Sequence, residues 1–279
     1  MTRQSASRQT FTTRSSRRSA AFAGNVRVIE HVYSPGDRQD KHAHSYASIS
    51  VVLAGSLSES VGNNVEDAFP LSVVVKPGDT EHADRFGTVG ARMFSVQFEP
   101  PIIQSLIDGD LKLNRWQWIH GGALARWMLT LLQTYRRTAL PNEELEDTVY
   151  EVLASLPTAK TVRASSPPRW LERVRQELDE TFSAGVRVCD LAAQANVHPV
   201  YLARVFRRYV GCSITDYRTL LKARAAAELL ASSGVTLATA AHDCGFADQS
   251  HMGRSFKSVT GLTPRDYRTI VNGPYRRAA

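Results

Sequence analysis

The chain has 279 residues, a formal net charge of +7 and 43% hydrophobic residues, enough for two ordinary domains. Its three cysteines, Cys189, Cys212 and Cys244, lack a CxxC spacing, which argues for a reducing compartment and against a disulfide or structural-zinc framework. No stretch has the length and apolarity of a membrane span or of a secretory signal core.

Charge divides the chain into three parts. Residues 1–24 carry +5, residues 25–168 carry −4 and residues 169–279 carry +6. The first part is rich in Ser, Thr and Arg and reads as a disordered basic tail. From residue 25 the pattern becomes short strands: Val26–Tyr33, Tyr46–Ala54, Leu71–Lys76 and Arg92–Phe98 are rich in β-branched and aromatic residues. Gly55, Gly62 with Asn63-Asn64, and Pro77-Gly78 punctuate them. Many short strands predict an antiparallel barrel or sandwich.

Gly36, His42, His44 and Gly55, followed by Pro77-Gly78 and His82, resemble the two sequence motifs of the cupin barrel over roughly 60 residues. His42 and His44 at i and i+2 share one face of a strand, and His82 comes from the second motif. Neutral imidazoles clustered in this way suit a divalent metal such as zinc, iron, nickel or manganese. They serve equally well to bind an anionic effector at the barrel mouth, or merely to cap strands. Metal-binding cupins usually carry a Glu where this chain has Ser48, so a metal here would rest on three histidines.

After Pro101 the pattern turns helical. Leu124, Met128, Leu131 and Tyr135 form one stripe, and Leu145, Val149, Val152 and Leu156 another, the latter preceded by Glu143-Glu144 as suits a helix N-terminus. Such helices either fold back on the barrel or form a dimer seam. Residues 25–156 are therefore read as an effector-binding and dimerisation domain, and 157–169, with Ser165-Ser166-Pro167-Pro168, as a linker.

The last part, residues 170–279, contains a repeat. Leu202-Ala203-Arg204-Val205-Phe206-Arg207, then Gly211, Ser213 and Tyr217, returns fifty residues later as Met252-Gly253-Arg254-Ser255-Phe256-Lys257, then Gly261, Thr263 and Tyr267. Upstream, Val188, Leu191, Ala192 and Ala195 mark one helical face, and Leu202, Val205, Phe206 and Tyr209 mark the next. Only Asn196, Val197 and His198 separate them before Pro199 starts a second helix. Asn196 and its counterpart Gly245 are residues that tolerate the positive φ of a tight turn. Each copy is thus a helix-turn-helix.

The outer stripe of each second helix reads Val200, Ala203, Arg204, Arg207 and then Ser250, Gly253, Arg254, Lys257. Small residues let a helix sit deep in a groove, arginine can pair with a guanine edge, and basic groups a turn later reach phosphate. A solvated basic face explains one such stripe; two in the same register favour DNA. From Asp216 to Ala231 the chain lacks Gly and Pro and predicts one continuous helix, able to hold the reading helices about one DNA turn (~34 Å) apart. Arg224, in the middle of that helix, is expected to pair with a buried carboxylate.

Residues 170–270, above all Gly245-Phe246, Asp248, Ser250, Arg254, Phe256-Lys257, Gly261, Thr263-Pro264 and Tyr267-Arg268, strongly resemble the AraC/XylS type of transcription regulator. The resemblance implies base-reading positions at Val200, Ala203 and Arg204 and at Gln249, Ser250, Gly253 and Arg254. His198, where a small hydroxyl cap is usual, and Ala240, where a larger aliphatic residue is usual, depart from the pattern. The expected fold is α+β in two domains: a cupin-like antiparallel β-barrel with a helical tail, then an all-α domain of two helix-turn-helix modules joined by a long helix. The function implied is an effector-controlled, sequence-specific regulator in a bacterial cytoplasm. Its partners would be double-stranded DNA, a small-molecule effector, RNA polymerase and a second copy of the chain. Whether it activates or represses depends on where its site lies relative to a promoter. The alternative, a metal-dependent cupin enzyme fused to a DNA-binding module, needs a general base, for which Glu59, Glu81 and Asp84 are the candidates.

Overall fold

A computed structural model describes residues 16–22, 26–100, 113–137, 143–156, 167–232 and 234–273. The strands are β1 (Ser16–Phe22), β2 (Val26–Tyr33), β3 (Arg38–His42), β4 (Ala47–Val61), β5 (Asn64–Ala68), β6 (Ser72–Lys76), β7 (His82–Phe98) and β8 (Gln117–His120). They form one antiparallel sheet in the order β1-β2-β7-β4-β6-β8, with β3 added to β7 and β5 to β4. The four strands expected from composition are present, and two of them run on much further. β4 and β7 pair along most of their length and bend together at Gly55 and Gly90. Both glycines have positive φ, and a Cβ on Gly55 would sit 2.0 Å from the Gly90 carbonyl oxygen. No other residue fits that bend.

Ser16–Phe22 departs from the expectation of a disordered tail: it is an edge strand paired with β2 from Ser16↔Val32 to Phe22↔Val26. Edge pairing draws on backbone groups, which every residue supplies, so a composition poor in apolar side chains does not exclude it. The rest of the basic tail and most of the expected linker lie outside the described residues.

One face of the sheet, with Ile49, Val51, Leu53, Val73, Val75, Phe94 and Val96, packs against α1 (Gly122–Arg137) and α2 (Glu143–Ala154). Both predicted stripes point inward: Leu124, Met128, Leu131, Tyr135, Leu145, Val149, Val152 and Leu156 are all 6% exposed or less. They belong to the subunit core and leave no apolar dimer seam on these two faces. The other face, with Val52, Leu57, Val74, Phe86 and Met93, lines the interior beside Tyr33, Trp116 and Trp118.

The C-terminal helices are α3 (Arg169–Thr181), α4 (Val188–Gln194), α5 (Pro199–Val210), α6 (Ile214–Ala231), α7 (Leu237–Asp243), α8 (Gln249–Thr260) and α9 (Pro264–Asn272). Their ends follow capping chemistry. Ser213 and Asp216 form a capping box on α6, Thr263 accepts from the Asp266 N–H on α9, and Gly211 and Gly261 close α5 and α8 with φ of 87° and 79°. Two environments result. Leu171, Val174, Leu178, Leu191, Leu202, Phe206 and Tyr217 form a core belonging to the first module. Phe246, Met252, Phe256, Tyr267 and Ile270 of the second instead join the core of the sheet and of α1 and α2.

Candidate functional site

The two turns are built alike. Asn196 and Gly245 take φ of 52° and 71°, as the sequence demanded. The residue after each donates its N–H back into the first helix, Val197 to the Ala192 carbonyl (3.0 Å) and Phe246 to the Ala241 carbonyl (2.9 Å). The second helices then start on different caps. Asp248 accepts from the His251 N–H at 2.6 Å, whereas the His198 Nδ1 accepts from the Val200 N–H at 3.3 Å. An imidazole therefore occupies the place of the hydroxyl cap, and Ala240 is fully buried, so neither departure from the family pattern prevents the turn.

With Leu202, Val205 and Phe206 buried under α5, the opposite face presents Val200 (70% exposed), Ala203, Arg204 and Arg207 to solvent. With Met252 and Phe256 buried under α8, Gln249, Ser250, Arg254 and Lys257 are exposed and Gly253 half-exposed. All nine positions marked from the sequence thus lie on the outer faces of the two second helices. Tyr201, 43% exposed, was not anticipated; the Arg204 guanidinium lies 5.6 Å from its ring centre. An exposed aromatic at that register is the signal that could have found it.

The histidines meet at one end of the sheet interior. His42 on β3 and His82 on β7 are paired across the ladder, and His44 follows directly in the loop. One ligand nitrogen from each lies within 4.8 Å of the others. Nδ1 of His42 is 2.7 Å from the Asp40 carbonyl and Nδ1 of His82 is 3.0 Å from the Thr80 carbonyl. Those contacts make Nδ1 the protonated nitrogen and leave Nε2 as a lone-pair donor, the arrangement that orients histidine ligands. Among the described residues the buried Nε2 of His82 has no hydrogen-bond partner. Burial, with help from His42, His82 and Lys76, lowers His44 to about 3. Burial, then Lys76, lowers His82 to about 4. Both rings are neutral at pH 7. Three clustered imidazoles, two of them with the second nitrogen anchored on a backbone carbonyl, fit a divalent transition metal.

Beside them sits a buried ionic cluster the sequence did not announce. The Lys76 ammonium pairs with the Glu59 carboxylate and lies 3.6 Å from Asp84, while Trp118 donates its Nε1–H to Glu59 at 3.0 Å. Burial alone would lower the Lys76 pKa, but Glu59 and Asp84 hold the ammonium charged and raise it. A lysine closing an otherwise apolar strand, Ser72–Lys76, and the same-face pair His82 and Asp84 were the available signals. Two of the three candidate bases are thus engaged with a lysine, and the third, Glu81, is exposed.

Arg224 differs from expectation. No carboxylate lies within ion-pair distance of it among the described residues; its guanidinium lies over Phe69, 5.5 Å from the ring centre.

Residues 191–270 match the family described as a helix-turn-helix domain. The chain also aligns with regulatory proteins. The chain is 26% identical over 114 residues to the regulatory protein PocR of Salmonella typhimurium, covering 40% of this chain and 38% of that one. It is likewise 26% identical over 113 residues to the arabinose operon regulatory protein of Escherichia coli, covering 39% of each. The C-terminal part is an AraC-type helix-turn-helix domain. The alignments span about two fifths of these relatives' lengths. Among solved structures, ToxT of Vibrio cholerae is similar over 90% of this chain and 99% of its own, at 11% identity and a TM-score of 0.38. No described helix is long and apolar enough to cross a membrane.

Proposed function

We propose that the protein is a sequence-specific transcription regulator that grips double-stranded DNA with α5 and α8 and is controlled through its N-terminal sheet. The observation that carries this reading is the paired construction: two helices begun by the same turn, each with a buried apolar face and an exposed small-and-basic face, held on one continuous helix. Val200, Ala203, Arg204, Gln249, Ser250, Gly253 and Arg254 read base edges, Arg204 and Arg254 supplying polarity; Arg207 and Lys257 contact phosphate. A footprint of the full chain on DNA upstream of its own gene and its neighbours, at near-physiological salt, tests this. A discrete site covering two successive major grooves per monomer is expected, and diffuse salt-labile protection would overturn it.

The N-terminal part, residues 25–156, is the sensing domain in this reading, and His42, His44 and His82 are its ligand site. A divalent metal held by one ring nitrogen of each histidine would leave a coordination position for a small effector. Effector binding controls DNA binding only if it favours one arrangement of the modules over another. Metal analysis of purified protein against a His82→Ala variant tests this; equal metal content in both removes the histidines as ligands.

The partners implied by the family are RNA polymerase and a second copy of the chain in a bacterial cytoplasm. Because the inner stripes of α1 and α2 belong to the core, a dimer would use the outer face of α2, where Tyr150 is 65% exposed. The enzyme alternative is weakened by Lys76, which ties up Glu59 and Asp84.

A further inference from the structure

Tyr201 is a large aromatic residue standing 43% exposed on α5, among the positions that face away from the core. Two contacts hold its ring. The Arg204 guanidinium, three residues further along the helix, lies 5.6 Å from the ring centre, within the range of a cation–π contact. The half-buried Trp170 of α3 lies 6.2 Å away, its ring tilted by 53°. Trp170 is fixed in turn, because its neighbour Leu171 is buried in the same core as Leu202 of α5. A chain of contacts thus runs from the start of α3 through Tyr201 to Arg204.

The second module has no such chain. Fifty residues on, His251 stands in place of Tyr201 and Arg254 in place of Arg204. His251 turns back into its own module: its Nδ1 accepts from the Ala247 N–H at 3.3 Å, and its ring meets Phe246 edge to face at 5.5 Å. Arg254 is exposed, and among the described residues no ring lies beneath it. The difference matters because a free arginine samples many rotamers and must give them up on pairing with a base. A guanidinium resting on an aromatic face gives up part of that freedom in advance. Its in-plane N–H donors stay available for the two acceptors of a guanine edge.

We infer that Tyr201, backed by Trp170, is a positioning residue that holds Arg204 ready for its base, so that the first module reads with a braced arginine and the second with a free one. The inference rests on the reading of α5 as a DNA-recognition helix. Tyr201 acts through Arg204 and contributes no base contact of its own.

The test uses the full chain in two measurements. Without DNA, the side-chain N–H and Cδ–H signals of Arg204 should lie upfield of those of Arg254, shifted by the ring current of Tyr201. They should keep that shift in Tyr201→Phe and lose it in Tyr201→Leu. With DNA, the probe is the best duplex selected from a randomised library, together with its single-base-pair variants. The base pair read by Arg204 is the one at which Arg204→Ala loses discrimination. There Tyr201→Leu should lose about three- to fivefold in discrimination, the size of an exposed cation–π contact, and Tyr201→Phe should lose little. Discrimination at the base pair read by Arg254 should not change, and Tyr201→Leu should add nothing in the Arg204→Ala background. Identical arginine signals would overturn the brace whatever the DNA data show. So would a loss in Tyr201→Phe as large as in Tyr201→Leu, or a loss that persists without Arg204, since either gives Tyr201 a DNA contact of its own. Enrichment of no duplex would instead sink the regulator reading, and the role in base reading with it, while the spectra still report the brace separately.

Discussion

The two modules are near-copies in sequence and opposites in attachment. Phe206 and Tyr217 stack edge to face at 5.4 Å, and their counterparts Phe256 and Tyr267 do so at 5.3 Å. The tyrosine hydroxyls then part company. That of Tyr217 donates to Asp179 inside its own module, whereas that of Tyr267 donates to the Leu53 carbonyl of the sheet. Arg136 adds a second tie, a bidentate pair with Glu30 of β2 together with a hydrogen bond to the Ile270 carbonyl of α9. The local architecture of a module is thus independent of what it is docked to. One reading helix is part of the rigid N-terminal body, and the other hangs from it through α6.

The sharpest way to break this comparison is to remove the equivalent phenylalanines. Phe206→Ala and Phe256→Ala should each cost about 3–5 kcal/mol. Hydrogen exchange should then accelerate across α3–α5 alone for the first, and across the sheet as well for the second. Equal, module-confined effects would mean that the second module is not part of the sheet's core. Arg136→Met comes next. It strands the Glu30 carboxylate, which is 2% exposed, and should cost about 3–5 kcal/mol in urea melts. Most of that should return in the Glu30→Gln/Arg136→Met double variant, and no recovery would assign the loss to packing.

A smaller effect separates base reading from phosphate contact. Arg254→Ala should weaken binding to the specific site by about 1–3 kcal/mol while sparing nonspecific binding. Lys257→Ala should weaken all sequences alike and flatten the salt dependence, and an unchanged slope would remove Lys257 from the phosphate contacts. The smallest effect concerns the caps. Asp248→Ala should cost about 1 kcal/mol, and His198→Ala less, because its bond is longer and uncharged. A larger loss at His198, read by thermal melting, would reverse that order.

Local rules made much of this legible. The apolar stripes, the positive-φ turn residues Asn196 and Gly245, the caps and the outward basic faces all concern residues within a few positions of one another. The meeting of the three histidines was also legible from the two motifs, but not from alternation along a strand, because β3 ends at His42 and His44 lies in the loop that follows. What stayed hidden were pairings over long separations. β1 was missed because edge pairing needs no apolar side chains, and the Lys76, Glu59 and Asp84 cluster because three strands bring it together. Arg224 was given a carboxylate that the fold does not supply.

The sequence by itself determined that two helix-turn-helix units of the same construction follow a β-rich domain, since periodicity, caps and turn residues act over one or two helical turns. Only the tertiary structure decided which unit is fastened to the sheet and which is not. That choice rests on a tyrosine hydroxyl and an arginine whose partners lie more than a hundred residues away, and on where α6 leaves Arg224. Side-chain identity is the same in both copies at the tyrosine; its surroundings, which set what the hydroxyl can reach, are a property of the packed chain.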